Sequence, residues 1–198
     1  MDAVQDVKRQ KKVGKKGLGI KGKLIFLAGV PVLIAVIVML FFSISAIRDG
    51  MQKEVLTGLE SLGHAVEGAF DAQGGEHDYE YIDGDIYRNG VNMTPGEGAL
   101  DYYTADSEAY ITLCYGKMRV ASTLTDEEGN RPINTEISDE VWEAMQRKEI
   151  YHTTDIDILG INFYAVYLPL QNPDGTVVGA LFAGQPSEEV EEYMKSKL

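Results

Sequence analysis

Residues 24–47 run for 24 positions without a charged side chain, and the 23 residues before them carry eight Lys or Arg against two Asp. At roughly 1.5 Å per residue such a helix is about 36 Å long, enough to cross a hydrocarbon core of about 30 Å with some tilt. Lys8, Arg9, Lys11, Lys12, Lys15, Lys16, Lys21 and Lys23 flank its start. Basic flanks stay on the cytoplasmic side. The expectation is a basic cytoplasmic leader over 1–23, a transmembrane helix over 24–47 and an extracytoplasmic domain over 48–198, single-pass in the plasma membrane. A cleaved signal peptide has a shorter apolar stretch of about 7 to 15 residues, so an uncleaved anchor is the better reading. A pilin-like protein, with Lys15-Lys16-Gly17 in its leader, is disfavoured by Lys21, Gly22 and Lys23 at the start of what would be its apolar helix.

The charge is segregated. The whole chain is formally −13, the leader contributes 8 − 2 = +6, and residues 24–198 therefore carry −13 − 6 = −19. An exterior this acidic repels nucleic acid and anionic headgroups, so no nucleic-acid partner is expected of it. Cys114 is the only cysteine, which rules out an internal disulfide; Leu113 and Tyr115 beside it mark a small core residue. His64, His77 and His152 fall on a helix, a loop and a strand start without metal-ligand spacing. Neither a Ser/His/Asp or Cys/His arrangement nor a phosphate-cradling Gly loop can be assembled, so no metal, cofactor or enzymatic activity is expected.

Past the apolar run, Ile47, Met51, Val55, Leu59, Leu62, Val66 and Phe70 recur every three or four residues, one stripe of a helix over 48–72 that must bury itself against something. Residues 76–108 are rich in Gly, Asp, Asn and Tyr and read as irregular structure with one or two small strands. From Ala109 the pattern changes to β-branched and aromatic residues. Residues 110–115 and 118–123 form a hairpin about Gly116-Lys117, and Ser138 caps a helix running through Lys148. Residues 151–156, 161–170 and 176–183 are further antiparallel strands, with a turn at Asn172-Pro173-Asp174-Gly175. A final helix occupies 187–198. The fold class is α+β: the N-terminal helix packed on an antiparallel sheet of about five strands over 109–184, then a C-terminal helix. One sheet face is expected to meet the long helix, leaving the other available for a ligand.

The run Met118-Arg119-Val120-Ala121-Ser122, the helix start Ser138-Asp139-Glu140-Val141, the strand from Asn162 to Leu170 with Tyr164, Tyr167 and Pro169, and Pro173-Asp174-Gly175-Thr176 leading into Val177 to Gly184 resemble the single Cache domain. That domain is the extracytoplasmic, PAS-like sensor of methyl-accepting chemotaxis proteins and some sensor kinases. The resemblance implies chemotaxis-type signal transduction, a homodimer along the juxtamembrane helix, and a cytoplasmic signalling module that is absent from this chain, as in a truncated or stand-alone sensor. It also implies a small-molecule pocket between the outer sheet face and a lid of roughly residues 99–106 and 134–148.

Arg119 is the leading ligand candidate: a fixed cation on a mid-sheet strand, able to grip a carboxylate with two parallel hydrogen bonds, or equally a strand charge paired with one of the many acids. In related citrate and dicarboxylate sensors the same strand carries Arg and, three residues on, His. Here the second position is Ser122, and the place of a later basic residue falls near Tyr164, which speaks against a tricarboxylate. Tyr103, Tyr115, Tyr164 and Tyr167 offer phenol donors and flat walls suited to amino acids, small monocarboxylates or ring compounds, or serve as packing aromatics. An anchored interaction or scaffold module without a pocket is the alternative function.

Overall fold

The computed structural model describes residues 19–197 apart from Glu97, Asp106 and Glu127; the leader cations from Lys8 to Lys16 lie outside the described residues. The chain divides into two units, Met1–Ser45 and Ala46–Leu198. The element α1 (Ile20–Gly74) is one α-helix that includes Pro31. Its N-terminal part is long and apolar enough to cross a membrane, and Leu27, Met39, Phe41 and Phe42 stand exposed on it.

Within Ala46–Leu198 the predicted stripe is used from Met51 onward, while Ile47 stands exposed. Leu59, Val66 and Phe70 are buried and Met51, Val55 and Leu62 pack beside them. Residues 76–108 hold more order than their composition indicated: a three-stranded antiparallel sheet of β1 (Tyr79–Ile82), β2 (Asp85–Arg88) and β3 (Val91–Asn92), followed by a single turn of helix, α2 (Asp101–Thr104). Asp83, Gly84, Asn89 and Gly90 all take positive φ, the backbone that two-residue hairpins demand.

The main sheet has β4 (Tyr110–Tyr115), β5 (Met118–Ser122), β6 (Tyr151–Ile158), β7 (Ile161–Gln171) and β8 (Val177–Pro186) in the order β5-β4-β8-β7-β6, every pairing antiparallel. Between β5 and β6 the chain forms α3 (Asp139–Gln146), capped by the Ser138 hydroxyl, which accepts from the Val141 amide. It ends with α4 (Ser187–Lys197).

Two corrections concern the sheet. First, Arg119 lies on β5, which is an edge strand and not mid-sheet. The edge is closed by residues 134–137: the Arg119 amide donates to the Thr135 carbonyl (2.8 Å), the Asn134 amide to Arg119 (2.9 Å) and the Ile137 amide to Lys117 (2.9 Å). Second, no face is left bare. One packs on α1, α4 and the small sheet through Ile111, Leu113, Val166, Leu168 and Leu181. The other packs on α3 and its approach through Cys114, Ala165, Tyr167, Ala180 and Phe182, with Leu124, Ile137, Val141 and Met145 above them. Period-two alternation assigns neighbours on each strand to opposite layers.

Candidate functional site

That alternation sorts the predicted ligand residues. Tyr164 and Tyr167 are three apart on regular strand, so they point to opposite faces. Tyr164 joins the α1 layer, where its hydroxyl accepts from the Gln52 amide (2.9 Å), while Tyr167 is in the α3 layer. Tyr115 lies in the α1 layer, stacked on Tyr81 with ring centroids 5.3 Å apart, and Tyr103 stands edge-on to Phe70 on the same side. Residues 99–105 thus sit over the α1 layer, apart from the 134–148 segment that covers the other face; Asp106 lies outside the described residues.

Arg119 and Ser122 are also three apart, yet they share the α3 face. The reason is a β-bulge: Cys114 pairs with Arg119 and Leu113 with Ala121, which leaves Val120 without an opposite residue. Past the bulge Ser122 pairs with Thr112 instead of falling on the other face, and their hydroxyls meet at 2.7 Å. The structure therefore brings Arg119, Ser122 and Tyr167 to one layer, together with Cys114 and Thr112, and places Tyr103, Tyr115 and Tyr164 in the other.

The electrostatics single out Arg119. Three arginines of low exposure occur in the acidic unit. Arg88 is paired with Asp71, and Arg131 grips Asp101 with both terminal nitrogens (2.9 Å each). Arg119, only 8 % exposed, has no carboxylate partner among the described residues. Its Nη1 donates to the Glu136 carbonyl (2.6 Å) and the Thr135 hydroxyl (3.0 Å), both on the segment that closes the β5 edge. Buried cations are normally paired.

Beside it the buried Tyr167 hydroxyl lies within reach of the Arg119 guanidinium but makes no hydrogen bond of good geometry. Burial pushes the phenol up to about 12 against the pull of Arg119, and likewise the Cys114 thiol up to about 12. Both are neutral at physiological pH, so the cation is not compensated from below. An orphaned buried hydroxyl costs about 1–3 kcal/mol. Tyr167→Phe is accordingly expected to leave the folded state equally stable or up to about 1 kcal/mol more stable in urea titration. A loss above about 1 kcal/mol would show that the hydroxyl has a partner.

Arg119 opens on a cleft of about 370 Å³ between residues 132–138 and residues 156–159 of the β6–β7 hairpin. Of three larger hollows, that of about 520 Å³ holds Asp101, Glu108 and Glu189, that of about 670 Å³ is lined by four acids of α4, and that of about 550 Å³ has Glu108 as its charged residue; the one cation in them, Arg131, is already bound to Asp101. Of these cavities among the described residues, the Arg119 cleft offers a positive charge without a carboxylate partner. Among the described residues no three His, Cys, Asp or Glu are placed to hold a metal ion. The structure does bring His64 and His152 to one carboxylate, Glu60, with His152 Nε2 at 2.8 Å, a meeting between α1 and β6 that their spacing could not reveal.

Residues 91–197, more than half of the chain, match the family described as single Cache domain 3. The chain belongs to that family. It is thus a Cache domain, a module of extracytoplasmic signal sensing, with the antiparallel sheet and N-terminal helix described above. Among solved structures, the periplasmic sensory domain of the Campylobacter jejuni chemoreceptor Tlp1 is 12% identical, with a TM-score of 0.41, covering 76% of this chain; the chain spans 59% of that one. Among curated proteins, none matches the sequence. The Cache match begins at β3, so α1, β1 and β2 lie before it, while all of the Arg119 cleft lies within it.

Proposed function

We propose that this chain is a membrane-anchored sensor whose residues 24–47 span the bilayer with the basic leader inside, and whose domain over 48–198 binds a small organic anion or amino acid outside. The observation that carries this reading is Arg119, a buried guanidinium without a carboxylate partner among the described residues in a domain of strongly negative charge, set beside the buried Tyr167 hydroxyl. A carboxylate entering the cleft supplies the missing counter-charge. It also competes for the guanidinium with Thr135 and the Glu136 carbonyl, so binding and the position of residues 134–137 are linked.

β7 offers a route onward. Tyr167 lies in the α3 layer on the same sheet face as Arg119, while Tyr164 and Leu168 on the other face of β7 touch α1 at Gln52 and Gly63. A ligand biases such an element only by its differential affinity for two arrangements, typically about 1–3 kcal/mol. A cytoplasmic module beyond these residues would carry the output.

The test is thermal denaturation of the full chain in detergent against a panel of carboxylates and amino acids. A ligand at about a hundred times its Kd adds roughly 2.7 kcal/mol, a rise of about 5–10 °C. Arg119→Met is expected to abolish the rise. If no compound stabilises the protein, the anchored-scaffold reading takes its place; a rise undiminished in Arg119→Met would move the site elsewhere.

A homodimer along α1 is part of the same proposal, but its face differs from the apolar stripe, which the domain's own core consumes. Gly58, Ser61, Ala65, Gly68 and Ala72 lie exposed at spacings of three and four, and a Cβ at Gly58 or Gly68 would meet nothing within 4 Å. Each glycine weakens the helix by about 1 kcal/mol without a reason inside the protomer. Gly58→Leu with Gly68→Leu is expected to shift sedimentation of the full chain from dimer toward monomer; an unchanged dimer would exclude this face.

A further inference from the structure

We propose that the Arg119 cleft selects a ligand with one carboxylate on a short aliphatic body and rejects di- and tricarboxylates, and that the tip of the β6–β7 hairpin makes the selection; this rests on the sensor reading above. Arg119 is the only cation lining the cleft. Its remaining charged neighbours are Glu136, whose carboxylate lies 3.5 Å from Lys117 Nζ, and Asp157, which accepts from the Gly160 amide (3.3 Å) and has no cation partner among the described residues. A second carboxylate on the ligand would face those two acids. Thr135 and Ser138 add hydroxyls on the side of the covering segment, and Pro132, Ile137, Ile156, Ile158 and Leu159 make the remainder a surface for hydrocarbon.

Leu159 is the informative residue. Ile158 pairs with Ile161 across a two-residue turn, and Leu159 and Gly160 have φ of 58° and 79°. Both central residues of this turn must adopt positive φ, which Asn-Gly does at least cost. A leucine there strains the backbone and leaves an aliphatic side chain 43 % exposed. The turn requires the positive φ but not a leucine at it. The choice of an exposed leucine is accounted for by apolar contact with a ligand whose carboxylate is on Arg119. Burying each methylene multiplies affinity by about fourfold, so the tail, not the shared carboxylate, separates one monocarboxylate from another.

The experiment measures Kd by ligand-dependent melting of the full chain in detergent, with acetate, isovalerate, glutarate and leucine, for wild type, Arg119→Met, Leu159→Asn and Asp157→Asn. Isovalerate is expected to bind at least tenfold tighter than acetate and glutarate. Leu159→Asn, which suits the turn and so folds, is expected to cut the isovalerate-to-acetate ratio at least fivefold. Asp157→Asn is expected to improve glutarate selectively. Leucine against isovalerate distinguishes an amino acid from a free acid as the source of this one carboxylate. Equal Kd values for acetate and isovalerate, or glutarate binding as tightly as isovalerate, with Arg119→Met still abolishing all of them, would overturn the selection while leaving the sensor reading intact. If no carboxylate stabilises the wild type, the sensor reading fails and this inference with it.

Discussion

Gly179→Ala is expected to destabilise the Ala46–Leu198 unit by about 3 kcal/mol or more, the upper end of what one added methyl does in a packed interior. A Cβ at this position would lie 2.0 Å from the Cys114 carbonyl oxygen and 3.2 Å from the Tyr115 Cα. These are backbone atoms, which cannot rotate away as a side-chain tip does. Gly179 pairs with Tyr115 on one side and Leu170 on the other, so β8 is held between β4 and β7 and any relief must pry open a ladder. The melting temperature should fall by at least about 6 °C. Gly50→Ala is the control: nothing lies within 4 Å, and it should gain up to about 1 kcal/mol in helix propensity. A loss below about 1 kcal/mol for Gly179→Ala would mean that β4 and β8 are not in the register seen here.

Most of the main sheet was legible because its signals are local. Gly116 turns the β4–β5 hairpin with φ of 56°, Ser138 caps α3, Gly175 turns β7 into β8 with φ of 81°, and the strands between them differ from expectation by only a few residues at their ends. The stripe from Met51 to Phe70 named the buried side of α1. The small sheet over 79–92 was legible only as one or two small strands in an irregular stretch, not as a sheet of three. Its strands are two to four residues long, too short for alternation to stand out, and they are held from afar, as where the Tyr79 amide donates to the Asn172 side chain (2.9 Å).

The site was legible in part, and the failures have one cause. Residue type pointed to Arg119, but spacing alone misassigned its neighbours, because strand period decides which side chains can meet. Tyr164 and Tyr167 look like a pair and are separated by the full thickness of the sheet. Arg119 and Ser122 look like residues on opposite faces and are united by the bulge at Val120. No residue in Met118-Arg119-Val120-Ala121-Ser122 announces a bulge. The cleft's apolar wall was missed for a related reason, since Ile156 and Leu159 lie on the far edge strand and its turn, and only the path of residues 132–138 brings Arg119 to the same hollow.

Arg88→Met is expected to cost about 3 kcal/mol, although the substituted side chain is far from the cleft. Arg88 is 5 % exposed, and its stem lies across the end of α1: a Cβ on Gly74 would meet its Cγ and Cδ at 2.4 Å. Its Nε donates to the His77 carbonyl (2.8 Å), its Nη1 to the Tyr79 hydroxyl (3.0 Å) and to Asp71, and its guanidinium lies 4.5 Å from the Tyr79 ring centre. Methionine keeps much of the stem volume, so the loss reports the carbonyl and phenol left without a donor and not a cavity. Burial pushes the Tyr79 phenol up to about 12 despite the adjacent charge, so it stays neutral and cannot serve as counter-ion. The counter-charge is Asp71, whose side chain is 60 % exposed, and an ion pair with so wet a partner contributes little. Asp71→Asn is therefore expected to cost under about 1 kcal/mol in the same urea titration. Equal losses for the two variants would place the strength of this clamp in the ion pair; a large loss for Arg88→Met alone places it in the hydrogen bonds that join the small sheet to the end of α1.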